Sequence, residues 1–553
     1  MKKCLAAFAS VVLFSFAFFP QTSVYSQRPS AVQRYADDRI VVKLKAGAGS
    51  FSDPDVMAEE IVRFPGVRAE TVPTRRRGDV SLIHLNRGLS VEEAVSRAKE
   101  DPRVEYAEPD YFVYAMDTVP NDPFFSEMWG LSSIGCLFCE PANTAANVNA
   151  TKAWDITTGS DDIVAVVLDT GAQLQHEDLA ANAWVNPLEI AGNKVDDDGN
   201  GFVDDINGWN FYDGNNQTFN PGVELSHGTH VAGSIGAVGN NGVGVTGVAW
   251  RVKLMSVKFL GGTNGKGSTS NAVRGIYYAI DMRNRGVNVR VINASWGGGS
   301  ESQSLRQAIV DANNAGILFV CAAGNSGDDT DVTPDFPSAY SKEQPNAISV
   351  AAVSQAGSLA SFSNFGHSSV SLAAPGVSII STHPTVGYAS FSGTSMATPY
   401  VSGIAVLLWS QEPFLTPAQV KQRIVDTSQP LPSLVSKLAR SGRASAYDAL
   451  INRIPAPQPP EVIGVNFTKK VLTVDGLGFA NGSAVIEVNG VPVPATADYD
   501  SSYALANGTL THLSVFLGKK PMKRTFPAGV SVSVRVFNPT TGERSDLFST
   551  ARF

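Results

Sequence analysis

A chain of 553 residues, 43% hydrophobic and 17% charged, carries enough apolar mass for one large core and two or three smaller domains, which excludes a disordered protein. Its formal charge of −8, reached without any long basic run, argues against nucleic acid or an anionic membrane as partner. It favours acidic surface loops that can hold cations.

The chain opens Met1-Lys2-Lys3, runs through an apolar stretch from Leu5 to Phe19 and reaches Pro20 and a polar segment with a small residue at Ser26. This is the layout of a signal peptide over residues 1–26, and the apolar stretch is shorter than the ~18 residues expected of a spanning helix. No later segment is long or apolar enough to span, so a secreted chain without a stable membrane anchor is expected. Residues 27–117 read as a small α+β unit. It has an alternating run Ile40 to Leu44, a helical pattern, a strand-like run Val80 to Leu85, a helix introduced by Ser90-Val91-Glu92-Glu93 and a last strand from Val104 to Asp110. The Ser-x-x-Glu pattern is that of a capping box. Standing ahead of the chemistry-bearing region, this strand, helix, strand, helix, strand unit suggests a removable pro-segment.

Four cysteines are few for a secreted protein, and Cys4 leaves with the signal. Cys136 and Cys139 form a lone Cys-x-x-Cys, read as a local disulfide or two free thiols, and Cys321 sits in an apolar strand as core. Across residues 118–452 short β-branched runs alternate with helical patterns, the signature of a mostly parallel sheet covered on both faces, a doubly wound α/β domain. Strands are expected at Asp162 to Leu168, Val252 to Phe259, Val289 to Asn293 and Ile317 to Cys321. Helices are expected at Ser268 to Arg285, Ser304 to Ala315, Met396 to Ser410 and Thr416 to Asp426. Residues 453–460 form a stiff proline-rich linker. Residues 461–553 then show short strands at Val471 to Val474, Ser483 to Val488, Leu513 to Leu517 and Val530 to Phe537, separated by Gly-containing turns, which suggests an immunoglobulin-like β-sandwich.

Three segments carry the chemistry: Val167-Leu168-Asp169-Thr170-Gly171, Ser226-His227-Gly228-Thr229-His230-Val231-Ala232-Gly233, and Ser392-Gly393-Thr394-Ser395-Met396-Ala397-Thr398-Pro399. Together, in the order Asp, His, Ser, they resemble the three active-site signatures of the subtilisin-like serine proteases. The resemblance implies an endopeptidase acting on extended polypeptides through an acyl-enzyme. Asp169 at the carboxyl end of a buried strand orients the imidazole of His227, the general base, and Ser395 is the nucleophile at a helix N-terminus. His230, one helical turn beyond His227, is expected to pack. Ala322-Ala323-Gly324-Asn325 resembles the segment whose asparagine amide is the second oxyanion donor beside the Ser395 backbone N–H.

Ala294-Ser295-Trp296-Gly297-Gly298 resembles the strand that pairs with substrate and walls the main specificity pocket, with Gly324 in the opposite wall. Trp296 stands where a smaller apolar residue is familiar. Asp335 aligns near the pocket floor, where it would favour a basic or polar side chain, or else is a surface acid. Asp196-Asp197-Asp198-Gly199-Asn200-Gly201-Phe202-Val203-Asp204-Asp205 spaces oxygens like the first half of an EF-hand loop. It reads as a calcium loop using Asp196, Asp198, Asn200, the Phe202 carbonyl and Asp204 or Asp205. By resemblance alone, Asp122, Asp178 and Asn241 hold a second structural calcium.

The resemblance runs from about Val119 to Leu450. Arg39 to Ala115 is similar to the family's pro-segments, which assist folding, occupy the cleft and are cut off, here between Tyr114 and Pro120. The C-terminal part resembles an IPT/TIG domain on weaker motifs. A monomer is expected, with polypeptide substrates and its own pro-segment as partners. A binding protein with a residual protease core is the rival reading, and it requires a broken triad or oxyanion hole.

Overall fold

The computed structural model describes residues 35–45, 53–71, 80–86, 88–111, 117–132, 146–220, 226–455, 460–480, 484–493, 497–498, 509–517, 519–538 and 543–551. The signal segment 1–26 and the Cys136 and Cys139 pair lie outside these residues, as does the stretch 112–116 in which the expected processing region begins. Two compact units result, residues 1–116 and 117–553. Among the described residues no helix is long and apolar enough to cross a membrane.

In the first unit β1 (Tyr35–Leu44), α1 (Pro54–Val62), β2 (Arg68–Thr71), β3 (Val80–His84), α2 (Val91–Glu100) and β4 (Val104–Tyr111) build an antiparallel sheet of order β2-β3-β1-β4. Alternation places Ile40, Val42 and Leu44 on one face, against Met57, Ala58, Ile61 and Val62 of α1 and Val91, Ala94, Val95 and Ala98 of α2. Strand β2 corrects the expected order by adding a fourth strand. It is four residues long at the sheet edge, too short for its own periodicity to register. The capping box is half made: the Ser90 hydroxyl accepts the Glu93 N–H, but the Glu93 carboxylate pairs with Arg97 one turn on.

The second unit is built on α3 (Ala150–Trp154), β5 (Gly159–Asp169), β6 (Gly208–Asn210), α4 (His227–Gly236), β7 (Arg251–Lys258), α5 (Thr269–Asn284), β8 (Val289–Ala294), α6 (Gln303–Asn314), β9 (Leu318–Ala322), β10 (Ala347–Val353), β11 (Leu372–Pro375), β12 (Ile379–His383), β13 (Gly387–Phe391), α7 (Thr394–Gln411), α8 (Pro417–Asp426), β14 (Gln429–Pro430), β15 (Gly442–Arg443) and α9 (Ala446–Leu450). The sheet order is β14-β15-β11-β10-β9-β8-β5-β7-β6, parallel throughout except at the β14–β15 edge. Both faces of β5 are buried. Ala165 and Val167 enter the core shared with α4, α7 and α8, while Val164, Val166 and Leu168 enter the core shared with α5 and α6. Burial on both faces explains why these strands read as continuous apolar runs. The fold is the expected doubly wound α/β arrangement, with the ends of the expected strands and helices displaced by at most three residues. Cys321 is fully buried in β9, and burial pushes its thiol well up.

Beyond the linker, β16 (Glu461–Phe467), β17 (Val471–Ala480), β18 (Val485–Val488), β19 (Val491–Pro492), β20 (Ala497–Asp498), β21 (Thr509–Phe516), α10 (Lys519–Thr525), β22 (Ser531–Asn538), β23 (Glu543–Arg544) and β24 (Phe548–Ala551) form two antiparallel sheets. Leu472, Val474, Leu513 and Val515 of one sheet share a core with Ile486, Val488, Val532, Val534 and Val536 of the other. Asp475 accepts hydrogen bonds from His512 and from Ser436 of the preceding α/β region, both at 2.7 Å.

Candidate active site

Strand β5 lies between β7 and β8, so the sheet reverses its direction of growth there, and Asp169 is its last residue. Open α/β sheets gather their ligands at such a switch point. Asp169 is fully buried, and its Oδ1 accepts the Thr170 N–H and a bond from His227 Nδ1, both at 2.7 Å.

The approach of β5 to α4 is a backbone matter. Gly171 has φ +97°, and a Cβ there would lie 2.1 Å from the Thr218 carbonyl oxygen; a Cβ on Gly228 would lie 2.3 Å from the Gly171 carbonyl oxygen. Two threonines pin the approach. Thr170 Oγ1 accepts the Gly228 N–H, and Thr229 Oγ1 accepts the Gln173 N–H, each at 3.0 Å.

Burial acts to lower the His227 pKa, but the Asp169 charge and hydrogen bond outweigh it and leave the imidazole above its ordinary 6.5. With Nδ1 committed to Asp169, Nε2 has no protein partner among the described residues, and 31% of the side chain is exposed. His230 packs, as expected. It is fully buried, stacks on Phe391 at 4.4 Å and bonds through Nε2 to the carbonyls of Ile379 and Ala389. Burial pushes its pKa down to about 4.

Ser395 is the second residue of α7, a helix buried from Thr394 to Trp409. Its hydroxyl donates to the Ser295 carbonyl at 3.0 Å, and the Ser295 hydroxyl donates to the Ser395 carbonyl at 2.9 Å. Behind them Asn293 donates to Ser295 Oγ and accepts from Ser402, both at 2.8 Å. This reciprocal pairing fixes the start of α7 against the end of β8. Among the described residues no direct bond links His227 to Ser395; such bonds form or tighten in the substrate complex.

Asn325 follows β9. Its Oδ1 accepts from Thr394 N at 2.9 Å and from Thr394 Oγ1 at 3.1 Å, which turns Nδ2 outward. A Cβ built on Gly393 would sit 3.6 Å from Ser395 N and 3.7 Å from Asn325 Nδ2, so the two donor nitrogens lie close to one another beside Gly393. Two N–H groups facing one small space beside a serine can hold an oxyanion.

Residues expected to meet substrate also flank this point. Ser295, Trp296 and Gly297 extend from β8, and Gly324 precedes Asn325. The Trp296 ring packs edge-on against Phe259 at 4.8 Å and so joins the adjoining core. Asp335 Oδ1 accepts the Gly298 N–H at 3.0 Å.

The two groups of expected calcium ligands fare differently. Asp178 accepts from Asn241 Nδ2 and from Val245 N, both at 2.8 Å, and Asp122 accepts from Asn240 N at 2.7 Å, so these three residues gather around one loop. In the acidic loop, carboxylate oxygens of Asp198 and Asp205 converge with one of Glu189. Asp196 instead accepts from Asn200 N and Gly201 N, and Asp204 from Gly192 N and Lys194 N. Asn200 donates to Asp198 and Asp205, and the Phe202 ring packs against Trp209, Phe211 and Tyr278.

Sequence reasoning missed Glu189, which precedes the EF-hand-like spacing. It also missed Thr394, read only as part of a signature, and Lys258. The Lys258 side chain is fully buried and donates to the carbonyls of Thr170 at 3.0 Å and Leu260 at 2.6 Å, bracing the loop after Asp169. A lysine set within an apolar run, just before Phe259-Leu260, was the only signal.

Residues 160–451 match the family model described as the subtilase family, and residues 22–110 match the fervidolysin N-terminal prodomain. Thermitase of Thermoactinomyces vulgaris is 37% identical over 332 residues, 60% of this chain and 99% of that protein. An extracellular protease of Xanthomonas campestris is 34% identical over 452 residues, 78% of this chain and 72% of that protein. Among solved structures, a protease from Pseudoalteromonas arctica matches with 32% identity and a TM-score of 0.47, covering 60% of this chain and 98% of that one.

Proposed function

Because the chain belongs to the subtilase family and is a serine endopeptidase with an N-terminal prodomain, we propose that Asp169, His227, Ser395 and Asn325 carry the hydrolysis of extended polypeptides. The observation that carries this reading is the buried Asp169–His227 bond together with two donor nitrogens, Ser395 N and Asn325 Nδ2, lying close together at the start of α7. Asp169 holds Nδ1 and leaves Nε2 as the base. The Ser395 hydroxyl turns from Ser295 to Nε2, gives up its proton and attacks the scissile carbonyl carbon. The resulting oxyanion takes hydrogen bonds from Ser395 N and Asn325 Nδ2, and the imidazolium returns the proton to the leaving amine. Water then deacylates the serine by the same exchange. Substrate lies as an added strand along Ser295 to Gly297, with Gly324 opposite.

The rest of the reading concerns how the enzyme is made and held. Residues 1–26 direct export, residues 27–117 assist folding and are removed by self-cleavage, and residues 461–553 form an immunoglobulin-like domain. Calcium at Asp122, Asp178 and Asn241 stabilises the fold and takes no part in the chemistry. The residues fit a cation: Asp122 and Asp178 are 4% and 0% exposed, and neither has a basic partner among the described residues. Asp122 Oδ1 is buried with no hydrogen-bond partner there, and burial pushes the Asp178 carboxyl up to about 6, with the Asp122 charge adding to it. Glu189, Asp198 and Asp205 are the ligands of a second calcium in the acidic loop.

A fluorophosphonate tests the reading. The probe should label Ser395, and Ser395→Ala should abolish labelling and accumulate the unprocessed precursor. An unlabelled parent, or a Ser395→Ala chain that matures normally, refutes it.

A further inference from the structure

Asp335 carries a charge that the hydrolysis itself does not use. A Cβ on Gly297 would lie 2.8 Å from its Oδ1, and one on Gly324 would lie 2.9 Å from its Oδ2. The carboxylate therefore ends between two glycine backbones, one leaving β8 and the other leaving β9, and over Gly324 it shares the space with Asn364 Nδ2, which the same Cβ would meet at 2.2 Å. Both backbones are tied to the nucleophile. Ser295, two residues before Gly297, accepts the Ser395 hydroxyl, and Asn325, next to Gly324, holds Thr394. A side chain at either glycine would collide with the carboxylate, and glycine at both positions avoids this.

The group is also electrostatically incomplete. Oδ1 accepts the Gly298 N–H, but Oδ2 has no hydrogen-bond partner and the carboxylate no basic partner among the described residues. Its burial raises the carboxyl's pKa, the Gly298 N–H opposes this, and the nearby Asp328 adds to the rise. A half-buried acid with a free oxygen and a like charge for neighbour gains most from a cation brought by a ligand.

We propose that Asp335 forms the floor of the pocket beside Ser395 and selects a lysine or arginine side chain immediately before the scissile bond. This deepens the proteolytic reading and rests on it. The glycine walls admit the long apolar stem of such a residue, and its charged end meets Oδ2.

The test is a set of tripeptidyl nitroanilides differing only in the last residue, Lys, Arg, Phe or Leu, run on the purified enzyme and on Asp335→Asn. In the parent, kcat/KM for Lys and Arg should exceed that for Phe and Leu by at least about tenfold, and Asp335→Asn should collapse that ratio by at least about tenfold. A parent that prefers Phe or Leu, or a ratio that the substitution leaves in place, overturns the proposal. Fluorophosphonate labelling of the same preparation separates the two readings. A labelled enzyme indifferent to charge sinks the pocket assignment alone, and an unlabelled enzyme that cleaves none of the four sinks both.

Discussion

Substituting His230 by Gln should flatten the acid limb of the stability curve. The imidazole is fully buried, its Nε2 bonds to two carbonyls and its Nδ1 is buried without a partner among the described residues, so a second proton would have nowhere to donate. Burial is the main reason its pKa falls to about 4 from the ordinary 6.5; the carbonyl bonds oppose the fall, and the charges of His227 and His383 add to it. The sign follows from proton uptake: between these values the unfolded chain holds the extra proton and the folded chain does not. Stability is therefore lost as pH falls through that window. At about 1.36 kcal/mol per pH unit the full gap is worth about 3.4 kcal/mol, and the part between pH 7 and 5 about 2 kcal/mol. Denaturant unfolding at both pH values, on a Ser395→Ala background to prevent self-digestion, measures it. The parent should lose about 2 kcal/mol more than the Gln variant between pH 7 and 5. An equal loss in both refutes the packing account and leaves His230 with a solvent-like pKa.

Asn325→Leu should lower kcat by ~10²–10³ with little change in KM, a magnitude taken from subtilisin's own oxyanion asparagine and not worked out from this structure; a loss below tenfold, or one confined to KM, would remove Asn325 from the oxyanion site. Chelating calcium should lower the melting temperature, and readdition at a hundredfold excess over Kd should restore it by returning about 2.7 kcal/mol of stability. Asp122→Asn should abolish part of that response in scanning calorimetry, and a melting temperature indifferent to chelator would end the calcium reading.

The fold was legible because the domain is doubly wound. With both faces of β5 buried, its apolar residues run without interruption, and such runs alternate with longer helical patterns. The four-residue β2 left no such trace, since its place is set by pairing with β3 and not by its own pattern. Ser90 announced a helix start correctly, but Glu93 had a second suitor in Arg97, and a four-letter pattern cannot weigh the two. Glu189 escaped for a related reason. Ligand spacing within a loop is a local signal, and a carboxylate that folds in from outside the loop is not.

The candidate site was legible for a different reason. The Asp169 and His227 signatures each contain the proposed reacting side chain together with residues that let two backbones touch. Gly171 and Gly228 remove the side chains that would hold β5 and α4 apart, and the Thr170 and Thr229 hydroxyls then join them. The Asp169–His227 distance is thereby set by backbone contact before either side chain chooses a rotamer. The Ser395 end is built by other means. Its position depends on Ser295, Asn293 and Ser402, spread over more than a hundred residues and joined through side-chain hydrogen bonds. Reaction geometry at Ser395 should therefore be the more sensitive of the two to substitutions that leave the signatures intact, because a hydrogen-bonded relay loosens one partner at a time, whereas a backbone contact holds or fails as a unit.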